Sequence, residues 1–75
     1  MLNVEMLQRT VDEYCARTKR PRTALAAAMG VSMPTFYSRV SGESEWKASE
    51  IHAFTVETGI DQPMRDAIFF APDVN

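Results

Sequence analysis

The stretch RTALAAAMGVSMPTFYSRVSG, residues 22–42, decides the fold of this chain. Leu25 and Met29 are four residues apart and belong on one face of a helix. Gly30 can end that helix, because glycine adopts left-handed backbone angles at little cost. Ser32 is a favourable N-cap for a second helix. The stretch therefore predicts two helices joined by a three-residue turn.

The second helix of this pair, residues 33–41, has two different sides. Phe36 and Val40 are four residues apart and are expected to face the core. The opposite side carries Met33, Thr35, Tyr37, Ser38 and Arg39. An exposed second helix is the element that a helix-turn-helix protein places in the major groove of DNA. We therefore expect a helix-turn-helix at about residues 22–41, the alternative being a solvated polar face without a ligand.

Capping residues predict three further helices. Asn3 can cap a first helix that ends near Arg17, and Asp61 can cap a short last helix. Between them, a fourth helix is expected from about residue 48 to 58, closed by Gly59. The sequence thus predicts an all-α protein, a compact bundle of about five short helices.

The chain is expected to form one domain over residues 1–75, with an ordered core at about 3–70 and a tail at 71–75. No apolar run approaches the length that crosses a bilayer, and the N-terminus lacks a basic segment followed by an apolar one. We therefore expect a cytoplasmic protein without a membrane partner. The single cysteine, Cys15, has no internal disulfide partner and is expected to pack as a small apolar residue.

Charge is unevenly distributed along the chain, whose net charge is −2. Residues 17–42 contain five basic residues and no acidic one. A basic segment beside an exposed helix is typical of a phosphate-binding surface, although residues 17–22 could also be a solvated loop. The candidate contacts to the DNA backbone are Arg17, Lys19, Arg20, Arg22, Ser32, Arg39 and Lys47.

The candidate base-reading residues are Met33, Thr35, Tyr37 and Ser38. Thr35 can hydrogen-bond a base edge or pack its methyl group on a thymine methyl, and Tyr37 can use its ring or its hydroxyl. None of the four can form the bidentate arginine–guanine or glutamine–adenine pairs that give strong direct readout. The specificity of each half-site is therefore expected to be modest and to depend on thymine methyl groups and DNA shape.

Three consecutive large apolar residues, Ile68, Phe69 and Phe70, cannot all share one helix face. Two interpretations are open: the segment packs as an extended closing strand, or it forms a dimer surface. Trp46 and Phe54 are expected in the core, with Trp46 closing the start of the fourth helix.

Several of these residues together resemble a known family. The string LAAAMGVSMPTFYSRVSG, followed by WKASEI, is similar to the Xre or lambda-repressor-like helix-turn-helix family, and within it to the small Cro-like proteins of phages and prophages. The resemblance covers about residues 3–70. It departs from the family at Pro21 and Arg22, where a polar cap and glutamine are usual, and at Met33 and Pro34, where arginine or glutamine is frequent.

The resemblance implies a repressor-type transcription regulator that binds double-stranded operator DNA as a homodimer, in a bacterial or phage-infected cell. The alternative is a protein-binding module of the same fold, an antirepressor or inhibitor that no longer reads DNA. The acidic net charge and the apolar C-terminal segment favour this alternative. The sequence contains no nucleophile–base pair, glycine-rich phosphate loop or metal-ligand set, so we expect no enzyme activity, small-molecule substrate, cofactor or metal.

Overall fold

Five α-helices and no strand make up residues 1–72, the part of the chain that the computed structural model describes. The helices are α1 (Val4–Thr18), α2 (Arg22–Met29), α3 (Met33–Ser41), α4 (Ala48–Thr58) and α5 (Gln62–Phe69). The Cα radius of gyration is 11.6 Å, close to the roughly 11 Å expected for a folded chain of this length. The predicted all-α class and the compact five-helix bundle are confirmed.

Side-chain caps begin three of these helices, as the sequence predicts. The Asn3 carboxamide accepts a hydrogen bond from the backbone N–H of Met6 at 3.1 Å, and the Asp61 carboxylate accepts one from Met64 at 3.0 Å. The Ser32 hydroxyl accepts from the N–H of Thr35 at 3.4 Å. Each cap satisfies a helix-end donor that would otherwise lack a partner.

The core is assembled from all five helices. Around its aromatic centre, the Trp46 ring packs edge-to-face on Phe54 and Phe69 at centroid distances of 5.3 and 4.8 Å. The Trp46 indole N–H donates to the carbonyl oxygen of Arg39 at 2.9 Å, so this residue ties the end of α3 to the start of α4. The buried apolar residues are Leu7, Val11, Tyr14, Leu25, Ala26, Met29, Phe36, Val40, Phe54, Ile68 and Phe69. Cys15 packs against this core from a half-buried position, as predicted.

The segment Ile68–Phe70 corrects the sequence interpretation. Ile68 and Phe69 belong to α5 and are buried in the core, so the predicted extended strand is wrong and these two residues are not available to a partner. The helix places them on the side that packs against α1 and Trp46. Phe70 follows the helix and is 58% exposed, which leaves it as the remaining dimer candidate of the three.

The two ends of the described chain lie side by side. The Met1 ammonium group donates to the carbonyl oxygen of Ala71 at 2.9 Å, and the Ala71 N–H donates to the carbonyl oxygen of Met1 at 3.0 Å. The Asn3 N–H also donates to Ile68 at 2.6 Å. Of the predicted tail, residues 73–75 lie outside the described residues. Within residues 1–72, none of the helices has the length and apolar character of a membrane span.

Candidate nucleic-acid interface

The α2–α3 pair has the tight corner that its sequence predicts. Gly30 ends α2 with a φ of 73°, in the left-handed region where a side chain would be strained. The Val31 N–H donates to the Ala26 carbonyl at 3.1 Å, and extended backbone at Ser32 then starts α3. Ala26 is buried, and its small side chain lets the two helices approach closely. The corner therefore holds α3 at a fixed angle to α2.

The predicted DNA contacts on α3 and at its N-cap differ in their exposure to solvent. Tyr37 is 53% exposed and Ser32 is also exposed, whereas the predicted contacts Met33, Thr35 and Ser38 are half-buried. Met33 packs against the core, and the Ser38 hydroxyl lies 2.7 Å from the Ser44 hydroxyl. Among the four candidate base-reading residues, Tyr37 therefore has the most accessible side chain.

Arg39 is held inside the protein rather than presented to a ligand. Its Nε lies 2.7 Å from one Glu50 carboxylate oxygen and its Nη2 lies 3.3 Å from the other. The side chains of Arg39 and Glu50 are only 13% and 6% exposed. A carboxylate this deeply buried needs a charged partner, so the structure assigns Arg39 to Glu50 rather than to the predicted phosphate contact.

The Arg39–Glu50 pair extends into a polar network at the α3–α4 junction. The Arg39 guanidinium lowers the pKa of Glu50 below its ordinary value, and the Lys47 backbone N–H, which donates to this carboxylate at 3.0 Å, adds to the effect. Arg39 also donates to the Ser44 hydroxyl at 2.5 Å. The network joins the last turn of α3 to the first turn of α4.

Two more predicted phosphate contacts bind the end of α4. Arg17 donates to the carbonyl oxygen of Thr58 at 2.8 Å, which satisfies an acceptor at the helix end. Arg20 forms an ion pair with Glu57 at 3.1 Å, and Glu57 also accepts the Tyr14 hydroxyl at 2.5 Å. This hydrogen bond to the Glu57 carboxylate raises the pKa of the buried Tyr14, because it stabilises the protonated phenol.

Arg22, the first residue of α2, forms an ion pair with Asp12 of α1. Both side chains are well exposed, at 45% for Arg22 and 63% for Asp12. The pair lines a cleft of about 220 Å³ between α1, α2 and α3, to which Tyr37 also contributes. Arg22, its carboxylate partner and the most accessible of the candidate base-reading residues therefore share one surface, which the sequence alone does not reveal.

The remaining two predicted phosphate contacts are the lysines. Lys19 follows α1 with a φ of 61°, the left-handed conformation that ends the helix, and Lys47 immediately precedes α4. Both residues are exposed, and neither forms an ion pair in the part of the chain that the structure describes. Their ammonium groups can therefore meet a phosphate without displacing a carboxylate.

Neither a metal site in the described residues nor similarity to a known protein indicates a function for this surface. Across residues 1–72, no three His, Cys, Asp or Glu side chains are grouped so that they could hold a metal ion. Comparison of the chain with protein-family models, curated proteins and solved structures found no match. The surface offers a polar helix face beside Arg22, whose side chain is paired with Asp12.

Proposed function

We propose that this chain is a sequence-specific DNA-binding transcription regulator of the lambda-repressor-like helix-turn-helix type, which inserts α3 into the major groove of an operator. The observation behind the proposal is the exposed outer side of α3, with Tyr37 at 53% exposure, joined to α2 by a tight corner. Residues 17–42 contain no Asp or Glu, so α2 and α3 themselves carry no carboxylate that would repel phosphate. A capped helix start such as Ser32 also favours an anion through its free N–H groups and its dipole.

In this proposal the side chains have distinct roles. Tyr37 and Thr35 contact base edges or thymine methyl groups, because they lie on the outer side of α3. Arg22, Lys19 and Lys47 bind phosphates and supply affinity without sequence information. Arg39 is not proposed as a phosphate contact, because its ion pair with Glu50 positions α3 instead.

We propose further that the protein occupies DNA as a homodimer, on half-sites roughly 10 bp apart as the helix-turn-helix geometry requires. Phe70 is the apolar residue proposed for subunit contact, since it is exposed and lines two surface grooves of about 290 and 310 Å³. Both grooves are also lined by Ile51. Sedimentation of the protein and of Phe70→Ser tests this: the variant is expected to be monomeric where the parent chain dimerises, and a strictly monomeric parent, with or without DNA, rejects the dimer.

The central test is binding to random duplex DNA measured by fluorescence anisotropy as salt is raised from about 50 to 200 mM. A regulator that contacts several phosphates shows a log–log slope of several units, because each neutralised phosphate releases condensed counterions. Selection of bound fragments from a random DNA pool then identifies the operator. Undetectable binding at low salt, or a flat salt response, contradicts the proposal.

The second candidate function is a protein-interaction module of the same fold, acting as an antirepressor or inhibitor. The observation that favours it is the internal pairing of the arginines: Arg20, Arg22 and Arg39 each face a carboxylate, and Arg17 binds a helix-end carbonyl. Paired arginines contribute less to phosphate binding than free ones. The same titration separates the candidates, since a module without DNA affinity gives the flat response.

A further inference from the structure

We propose that, given the proposed function, Asp12 sets the affinity of the interface by competing with DNA phosphate for Arg22. A carboxylate and a phosphate oxygen make the same charge-assisted contact with a guanidinium group. Asp12 therefore occupies in the free protein the position that a phosphate takes in the complex, and the structure holds an internal competitor for the anion.

The geometry sets this pair apart from the other two. The carboxylate partner of Arg22 is 63% exposed, whereas Glu57 and Glu50, the partners of Arg20 and Arg39, are 26% and 6% exposed. An exposed carboxylate regains its hydration when its partner leaves, so the exchange costs little. A buried one would be left unpaired and poorly hydrated. Among these ion pairs, phosphate can therefore take over Arg22 most easily.

The location of the pair ties it to the DNA-facing surface. Asp12 and Arg22 line the same cleft as Tyr37, the most accessible candidate for base contact on α3. A phosphate that reaches Arg22 beside α3 therefore also meets the negative charge of Asp12. Two effects follow: Asp12 must release Arg22, and its charge repels the incoming backbone.

The test is a DNA titration of Asp12→Asn, with Glu13→Gln as the matched control. Both changes remove one negative charge from neighbouring exposed positions of α1, and Glu13 forms no ion pair within the described residues. At low salt we expect Asp12→Asn to raise the affinity for random duplex by about threefold to tenfold over Glu13→Gln. We also expect its salt dependence to steepen by less than about one unit, because Asp12 no longer offsets the charge of Arg22 at the phosphate contact.

A double-mutant cycle tests whether the gain in DNA affinity depends on Arg22. If the competition is direct, Asp12→Asn in an Arg22→Ala background raises the affinity for random duplex DNA no more than the control substitution does. If Asp12→Asn and Glu13→Gln have equal affinities for DNA, the competition between Asp12 and phosphate is wrong. The proposed function is still supported in that case, provided that the parent chain binds DNA in a salt-dependent way. Absence of DNA binding by the parent chain and by every variant overturns both.

Discussion

Helix α3 adjoins two arginine–carboxylate pairs that have opposite purposes. At its C-terminal end, Arg39 and Glu50 form a nearly buried ion pair with a Ser44 hydroxyl and the Lys47 N–H around it. Beside Tyr37, in the middle of the helix, the Arg22–Asp12 pair is largely exposed. The burial of the carboxylate decides the role: the buried pair fixes the position of α3, and the exposed pair can exchange its partner for a ligand.

Breaking the buried pair is expected to have the largest effect. Glu50→Ala leaves the Arg39 guanidinium in a protein environment without its carboxylate partner, and we expect the Tm to fall by about 10 °C or more. Asp12→Ala, which breaks the exposed pair, is expected to change the Tm by no more than a few degrees. Thermal unfolding followed by circular dichroism measures both. Equal Tm changes would remove the distinction between the two pairs.

Acid is expected to weaken the same junction selectively. Hydrogen bonding to Arg39 lowers the pKa of Glu50 from its ordinary value of 4.5, so the folded state holds this carboxylate more strongly than the unfolded chain does. The resulting stability is present in full above the ordinary pKa and is lost as the pH falls through the lower folded value. The Tm advantage of the parent chain over Glu50→Gln should therefore shrink below pH 4.5. A Tm advantage of the parent chain that stays constant from neutral pH to pH 3 would contradict the lowered pKa of Glu50.

On the exposed side of α3, Tyr37 is expected to control specificity. Tyr37→Ala removes the accessible ring and hydroxyl, and we expect about a tenfold loss of affinity for the selected operator. Affinity for random duplex should change little, because phosphate contacts supply it. Tyr37→Phe separates the hydroxyl from the ring. Parallel losses on operator and random duplex would show that Tyr37 does not read bases.

The smallest expected effect belongs to Arg22. In the parent chain its charge is partly neutralised by Asp12, so we expect Arg22→Ala to weaken binding to all duplexes alike by about threefold and to reduce the salt slope by up to about one unit. Anisotropy titrations on operator and random DNA measure this change. Unchanged affinity for random DNA would count against a phosphate contact at this position.

Local features of the fold follow from the sequence because they depend on neighbouring residues. Asn3, Ser32 and Asp61 cap helices whose N–H groups lie three residues away, and Gly30 needs only its own backbone freedom. The sequence therefore predicts all five helices and the corner between α2 and α3.

The ion pairs do not follow from the sequence, because their partners are far apart in the chain. Arg22 and Asp12 are 10 residues apart, Arg39 and Glu50 are 11 apart, and Arg20 and Glu57 are 37 apart. Their meeting depends on how the helices pack. One local signal was available for the buried pair: Glu50 stands in the first turn of α4, where a carboxylate often accepts the N-cap N–H.

The C-terminal segment shows a second kind of feature that the sequence alone does not predict. Its apolar run indicates burial but does not distinguish a strand from a short helix, since both are compatible with so few residues. The structure selects the helix, with Ile68 and Phe69 inward. Phe70 follows the helix and stays exposed, in agreement with the expectation that the three residues cannot all share one helix face.

Trp46 is an intrinsic fluorescence probe of this protein. It is the single tryptophan of the chain, its indole N–H is bound to the Arg39 carbonyl, and its ring lies on Phe54 and Phe69. Its emission spectrum therefore monitors the α3–α4 junction. Loosening of the junction shifts the emission toward longer wavelengths, so fluorescence can follow the α3–α4 junction while DNA binding at Tyr37 is tested.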